Sequence, residues 1–76
     1  QDTVAIAARN LEAGESVRAG GRTVTVRQRV PQGHKLAVVP RLVGEPTLRF
    51  GQIIGFATAP IEPGEWVHVH NMHAGS

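Results

Sequence analysis

Two imidazoles set two residues apart, His68 and His70, are the first part of this sequence equipped for chemistry. They end the run Glu65-Trp66-Val67-His68-Val69-His70, in which Val67 and Val69 alternate with polar or aromatic residues. In a β-strand, residues i and i+2 leave the same face about 6–7 Å apart. Two rings so placed can converge on one divalent ion, and imidazole suits zinc, iron and nickel alike. Two ligands leave such an ion half-coordinated. His34, next to Gly33, is the third candidate within the chain, and a carboxylate from a larger partner is the other. The competing reading is a surface strand that happens to carry two histidines, with Trp66 packing on their face. His73 falls outside this spacing, in a stretch, 72–76, that reads as a flexible tail, and is assigned no role.

The elements that must position these rings follow period two, not the helical period. Thr3–Ala7, Thr23–Val30, Lys35–Val39, Gln52–Thr58 and Glu65–His70 read as strands, with Val24, Val26 and Val30 on one face against Thr23, Thr25, Arg27 and Arg29 on the other. Gly20-Gly21, Pro31-Gln32-Gly33, Pro40, Gly44-Glu45-Pro46 and the stretch 60–64 supply turns. No stretch of ten residues carries a helical apolar stripe free of Gly or Pro. The sequence therefore predicts an all-β domain, with at most a short helical turn near Arg41–Val43 or Pro46–Phe50. One corner pattern recurs in Leu11–Val17, Val30–Leu36 and Ile61–Val67: an apolar residue, two linkers, Gly, a polar residue, one more, then an apolar residue. Glycine supplies the positive φ of each corner and the apolar residues anchor its two arms.

Size limits what the chain can do alone. Its 76 residues, with nine Gly, five Pro and no Cys, make a single domain over residues 1–76 with a core over about 3–71. A chain this short buries only about 60% of its unfolded surface, and no disulfide compensates. A partner surface is expected to complete it, either a second copy paired through an exposed strand edge or a larger subunit. No apolar run reaches membrane-spanning length and no secretory leader is legible at Gln1–Asn10. A net charge of +2 is small for a nucleic-acid binder, and the aromatics form no stacking platform. Arg18, Arg22, Arg27 and Arg29 cluster across one hairpin and read as a solvated face, or else as a docking face for an acidic subunit. Of the six carboxylates, Glu15, Glu62 and Glu65 sit in or beside corners, so no internal set of base, acid and metal cage emerges.

Four segments together resemble a known family: Gly14-Glu15, the run from Pro31 to Ala37, the run from Gly51 to Thr58, and the run from Ile61 to Asn71. They are similar to the SAF domain of altronate and galactarate dehydratases, which is an N-terminal domain or separate small subunit, and to the small subunit of sulfolactate sulfo-lyase. The resemblance covers about Thr3 to Asn71, and its specific parts are Gly33-His34-Lys35 and His68-x-His70-Asn71. It implies a β-clip fold and a bacterial, cytoplasmic sugar-acid lyase completed by a large dehydratase subunit, with a divalent metal such as Fe²⁺ or Mn²⁺. It also implies roles: His34 and Lys35 in catalysis, Lys35 and Asn71 on the substrate, His68 and His70 on the metal. The chemistry implied is β-elimination of water, in which a base removes the proton α to a carboxylate and the ene-diolate is stabilised as hydroxide leaves. Lys35 has an alternative reading as a solvated lysine at a strand start. The whole chain has one too, as a non-catalytic SAF module that binds a carbohydrate or a protein partner.

Overall fold

A computed structural model of the chain describes residues 2–74. Eight short strands follow in order: β1 (Val4–Ile6), β2 (Ser16–Ala19), β3 (Arg22–Thr25), β4 (Lys35–Ala37), β5 (Pro46–Arg49), β6 (Gln52–Ala57), β7 (Trp66–Val67) and β8 (Met72–His73). They make a three-stranded sheet β1-β4-β7, a hairpin β2-β3 and a three-stranded sheet β5-β6-β8, every pairing antiparallel. Among the described residues there is no helix, and neither expected helical turn forms: Arg41–Val43 enters a corner, and Pro46–Arg49 is β5. β4 lies at the centre and is buried on both faces. Leu36 packs with Ala7, Leu11, Val26 and Val30, whereas Ala37 packs with Val4, Ala57, Ile61 and Val67.

Four glycine corners carry the chain between these pieces. In each, the glycine N–H donates 2.8 Å to a carbonyl on a distant segment: Gly14 to Val26, Gly33 to Ala7, Gly44 to Ala57 and Gly64 to Ala37. Isolated bridges Leu11–Val30 and Arg41–Ile61 join the corners in pairs. The corner at Gly44 escapes the sequence pattern because Arg41 and Thr47 stand where apolar residues are expected, yet Thr47 is fully buried. The strand read over Thr23–Val30 ends at Thr25. Val26 still bonds the segment before β2, its N–H donating to Glu15 O and its carbonyl accepting from Gly14 N–H, and the backbone leaves that partner at Arg27, whose N–H donates to Gly64 O. The chain also does not leave the domain at residue 72. Met72 and His73 pair with Ala57 and Phe56, and Met72 packs on the core beside the Thr47 hydroxyl. Residues 75 and 76 of the expected tail lie outside the described residues.

Both hairpins close through two residues of positive φ, Gly20-Gly21 and Phe50-Gly51, the turn type whose twist matches the strands. Phe50 adopts φ 54° without glycine's freedom, and its turn is tied to the start of the chain, where the Gly51 N–H donates 3.1 Å to Asp2 Oδ1. The backbone N–H groups of Phe50 and then Gly51, followed by the Arg49 charge, hold the Asp2 carboxyl below the ordinary aspartate range. The Arg9 guanidinium and then the Glu12 N–H do the same for Glu15. A carboxylate whose native pKa is depressed stabilises the fold above its unfolded value of about 4, and that contribution fades as pH falls through the lowered native value. The melting temperature should therefore drop as pH is taken from about 5 towards 2, and Asp2→Asn combined with Glu15→Gln should flatten that decline. An unchanged slope in the double variant would mean that neither carboxylate contributes to the pH dependence.

Candidate functional site

The position after the corner glycine is Glu15, His34, Glu45 and Glu65 in the four corners. The three glutamates do one structural job, each accepting a hydrogen bond from the backbone N–H three residues earlier: Glu12 at 2.7 Å, Leu42 at 2.7 Å and Glu62 at 3.1 Å. At His34 the residue three earlier is Pro31, which has no N–H to offer. The clamp is unnecessary there, and the side chain at 34 is released for something else. The backbone of that corner closes as the others do, with His34 N–H on Pro31 O, and Asn10 Oδ1 accepts the Gln32 N–H at 2.8 Å.

His34 turns instead to Trp66. The indole Nε1–H donates to His34 Nδ1 at 3.1 Å, and the ring centroids are 5.7 Å apart. Leu36 and Trp66 are cross-strand partners on β4 and β7, so His34, Leu36 and Trp66 share one face. His68 stacks on Trp66 at 4.9 Å and 10° and stands 5.1 Å from His34, while His70 tilts against the indole at 5.2 Å. Trp66 is thus the hub of three imidazoles. Its own backbone is held from both sides, its N–H donating to Gln28 Oε1 and its carbonyl accepting from Asn71 Nδ2.

The strand expected over Glu65–His70 stops at Val67, so His68 and His70 are not neighbours on one strand face. Residues 68–71 form a turn closed by Asn71, whose Oδ1 accepts the His68 N–H at 2.9 Å while the Asn71 and Met72 N–H groups both reach His68 O. Asn71 is 3% exposed, and its amide ties the turn to β7, Oδ1 accepting the His68 N–H and Nδ2 donating to the Trp66 carbonyl. It shapes the loop that presents the imidazoles. Lys35 pairs with Ile6 and Val67, residues of the opposite sheet face, so alternation along β4 directs it away from the face of His34 and Trp66. His73, given no role from its spacing, lies against Phe56 with ring centroids 6.0 Å apart. Arg18, Arg22, Arg27 and Arg29 are all exposed, and Arg29 pairs with Glu12.

The residues present do not by themselves fit a metal. Among the described residues no three His, Cys, Asp or Glu side chains stand together in a metal-holding group. The Nδ1 lone pair of His34 is already occupied by the indole. An open groove of about 270 Å³ runs elsewhere, between β1 and β2, lined by Ala5, Ala7, Leu11, Val17 and Leu36 with Arg9 and Arg18. No imidazole or carboxylate lines it. The reactive groups of the domain lie on the Trp66 cluster, where three imidazoles, half-buried or exposed, face outward from a rigid indole.

Short antiparallel strands folded about recurrent glycine corners make this chain a β-clip domain of the SAF class. More narrowly, the chain belongs to the altronate/galactarate dehydratase SAF domain family, whose model matches residues 1–75. It is 41% identical over 70 residues to an altronate dehydratase of Escherichia coli strain K12, covering 92% of this chain and 14% of that protein. It is 35% identical over 71 residues to an altronate dehydratase of Bacillus subtilis strain 168, covering 93% of this chain and again 14% of the relative. The chain therefore corresponds to a small domain of much larger bacterial enzymes. Among the described residues no helix is long and apolar enough to cross a membrane.

Proposed function

We propose that this chain is the SAF part of a sugar-acid dehydratase and supplies one wall of a site whose remaining walls come from a larger domain or subunit. The observation that carries the reading is the Trp66 cluster. A position that serves as a backbone clamp in three corners is freed by Pro31 in the fourth, and the histidine placed there joins two more around one indole. The family relation supports altronate or galactarate as the substrate class, and the small share of each relative covered is consistent with the remaining groups lying in a larger part.

β-Elimination needs a base at the α-carbon, a donor for the carboxylate oxygens that gain charge in the ene-diolate, and protonation of the departing hydroxyl. The cluster can donate to substrate oxygens and hold the ligand's polar face. It contains no carboxylate, and half of the six acidic residues in the chain are corner clamps. In this reading the proton-abstracting base belongs to the larger part of the enzyme. A divalent ion such as Fe²⁺ or Mn²⁺ would draw its ligands chiefly from there as well, with His68 and His70 as this chain's candidate contribution. Lys35, on the opposite face of β4, takes no part in the cluster. A bacterial cytoplasmic setting belongs to the same proposal, in keeping with the bacterial source of both relatives.

Mixing the chain with the cognate large polypeptide tests this. Altronate or galactarate should be dehydrated by the mixture and not by the chain alone. Turnover by the chain alone, or undiminished turnover by the large polypeptide without it, would contradict the shared-site reading, and would in the second case favour a binding module.

A further inference from the structure

We propose that the Trp66 indole locks His34 as its neutral Nε2–H tautomer, so that His34 meets a ligand as a hydrogen-bond donor and not as a base or metal ligand through Nε2. The donor role rests on the proposed dehydratase site, whereas the tautomer does not.

An indole N–H can only donate, so a ring nitrogen 3.1 Å from it must offer a lone pair. Turning the imidazole over would bring Cδ2 to that place and leave the indole without an acceptor. A neutral imidazole carries one N–H, and with Nδ1 accepting, that hydrogen sits on Nε2. Nε2 has no hydrogen-bond partner among the described residues, and no buried side-chain N or O is left unpaired, so this atom opens to solvent. The donor is therefore presented outward, and its direction is set by the bond behind it.

The lock works because Trp66 itself cannot drift. The Gln28 side chain holds its N–H at 3.1 Å, Asn71 Nδ2 holds its carbonyl at 2.9 Å, and His68 covers one face of its ring. Trp66 is accordingly a positioning residue that acts through His34. The ligand chemistry that suits an outward Nε2–H is an oxygen acceptor, a carboxylate or hydroxyl of a polyhydroxy acid. In the elimination, a neutral donor strengthens its bond as charge builds on a carboxylate oxygen and transfers no proton, so His34 ends the step as it began. Abstraction of the α-proton then falls to a group other than His34.

Nitrogen-15 NMR of the chain at about pH 8.5, above the range of an ordinary imidazole, reads the tautomer directly. The expected result is a pyridine-type Nδ1 and a pyrrole-type Nε2 for His34. In Trp66→Phe, which keeps an aromatic face but loses the N–H, the Nε2–H to Nδ1–H ratio should fall by about 2- to 10-fold, the value of one hydrogen bond. A wild-type His34 protonated on Nδ1, or a folded Trp66→Phe variant with an unchanged ratio, would overturn the lock. Should Trp66→Phe not fold, the wild-type ratio is read against that of a free histidine side chain, which itself favours Nε2–H: an excess of about 2- to 10-fold supports the lock, and a ratio no higher than the free one overturns it. A locked tautomer combined with full dehydratase activity in His34→Ala would overturn the donor role and the site assigned to His34, and leave the lock standing.

Discussion

Gly64→Ala is expected to destabilise the domain by about 3–5 kcal/mol, against about 1–2 kcal/mol for Gly14→Ala. The two glycines share a backbone conformation, φ 94° and 93°, so both substitutions impose the same left-handed strain. They differ in what an added Cβ meets. At Gly14 nothing lies within 4 Å, whereas at Gly64 the new atom would stand 2.0 Å from the Thr25 carbonyl oxygen and 2.9 Å from Arg27 Cγ. The backbone there cannot step aside, because Gly64 N–H donates to Ala37 O and Gly64 O accepts from Arg27 N, both at 2.8 Å. A domain of this size is stable by roughly 4–11 kcal/mol, so the loss at Gly64 is a large share of the whole. It falls two residues before Trp66 and would move the imidazole hub with it. Urea unfolding of the two variants measures the difference, and equal losses would show that the Gly64 corner is not closely packed on β3.

His34→Ala should lower kcat/KM for altronate dehydration in the assembled enzyme by about 10²–10³-fold, the effect of deleting one donor to a developing oxyanion. The fold has little reason to suffer. His34 is not among the buried core residues, its corner is closed by backbone bonds, and the neighbouring Asn10 bond to Gln32 does not involve the imidazole. What the substitution removes is the acceptor for the indole and the outward N–H. An unchanged melting temperature with a fall of this size separates a functional histidine from a structural one, and near-normal turnover would return His34 to the role of a packing partner for Trp66.

Much of the scaffold is legible in the sequence because alternation and glycine chemistry are local. Gly33-His34 and Ile61-Glu62-Pro63-Gly64-Glu65 announce corners, and Val24, Val26 and Val30 announce a buried face on their own. Alternation misleads where a side chain takes over from the ladder. Trp66 to His70 keeps period two, yet Asn71 closes a turn on the His68 N–H and ends β7 after two residues. The Gly44 corner hides behind Arg41 and a buried threonine, and β8 is visible only once β6 is there to pair with it.

The site was legible as a list of histidines and not as a geometry. His-x-His suggested two ligands on one strand face, while the structure arranges His34, His68 and His70 around the Trp66 ring and turns Lys35 to the other side of the sheet. The one available sequence signal was the exception in a repeat: three corners place Glu after Gly, and the one that begins with Pro31 places His. Reading that exception needs the reason for the rule, a backbone N–H that proline lacks.

In the proposed function the imidazoles around Trp66 form a wall of the dehydratase site. Its most direct test is kcat/KM for altronate in the assembled enzyme carrying His68→Ala and His70→Ala together, with assembly followed in parallel. Assembly should stay intact and turnover should fall at least about tenfold, the value of two lost hydrogen bonds. Assembly and turnover both left at the wild-type level would contradict the proposed function.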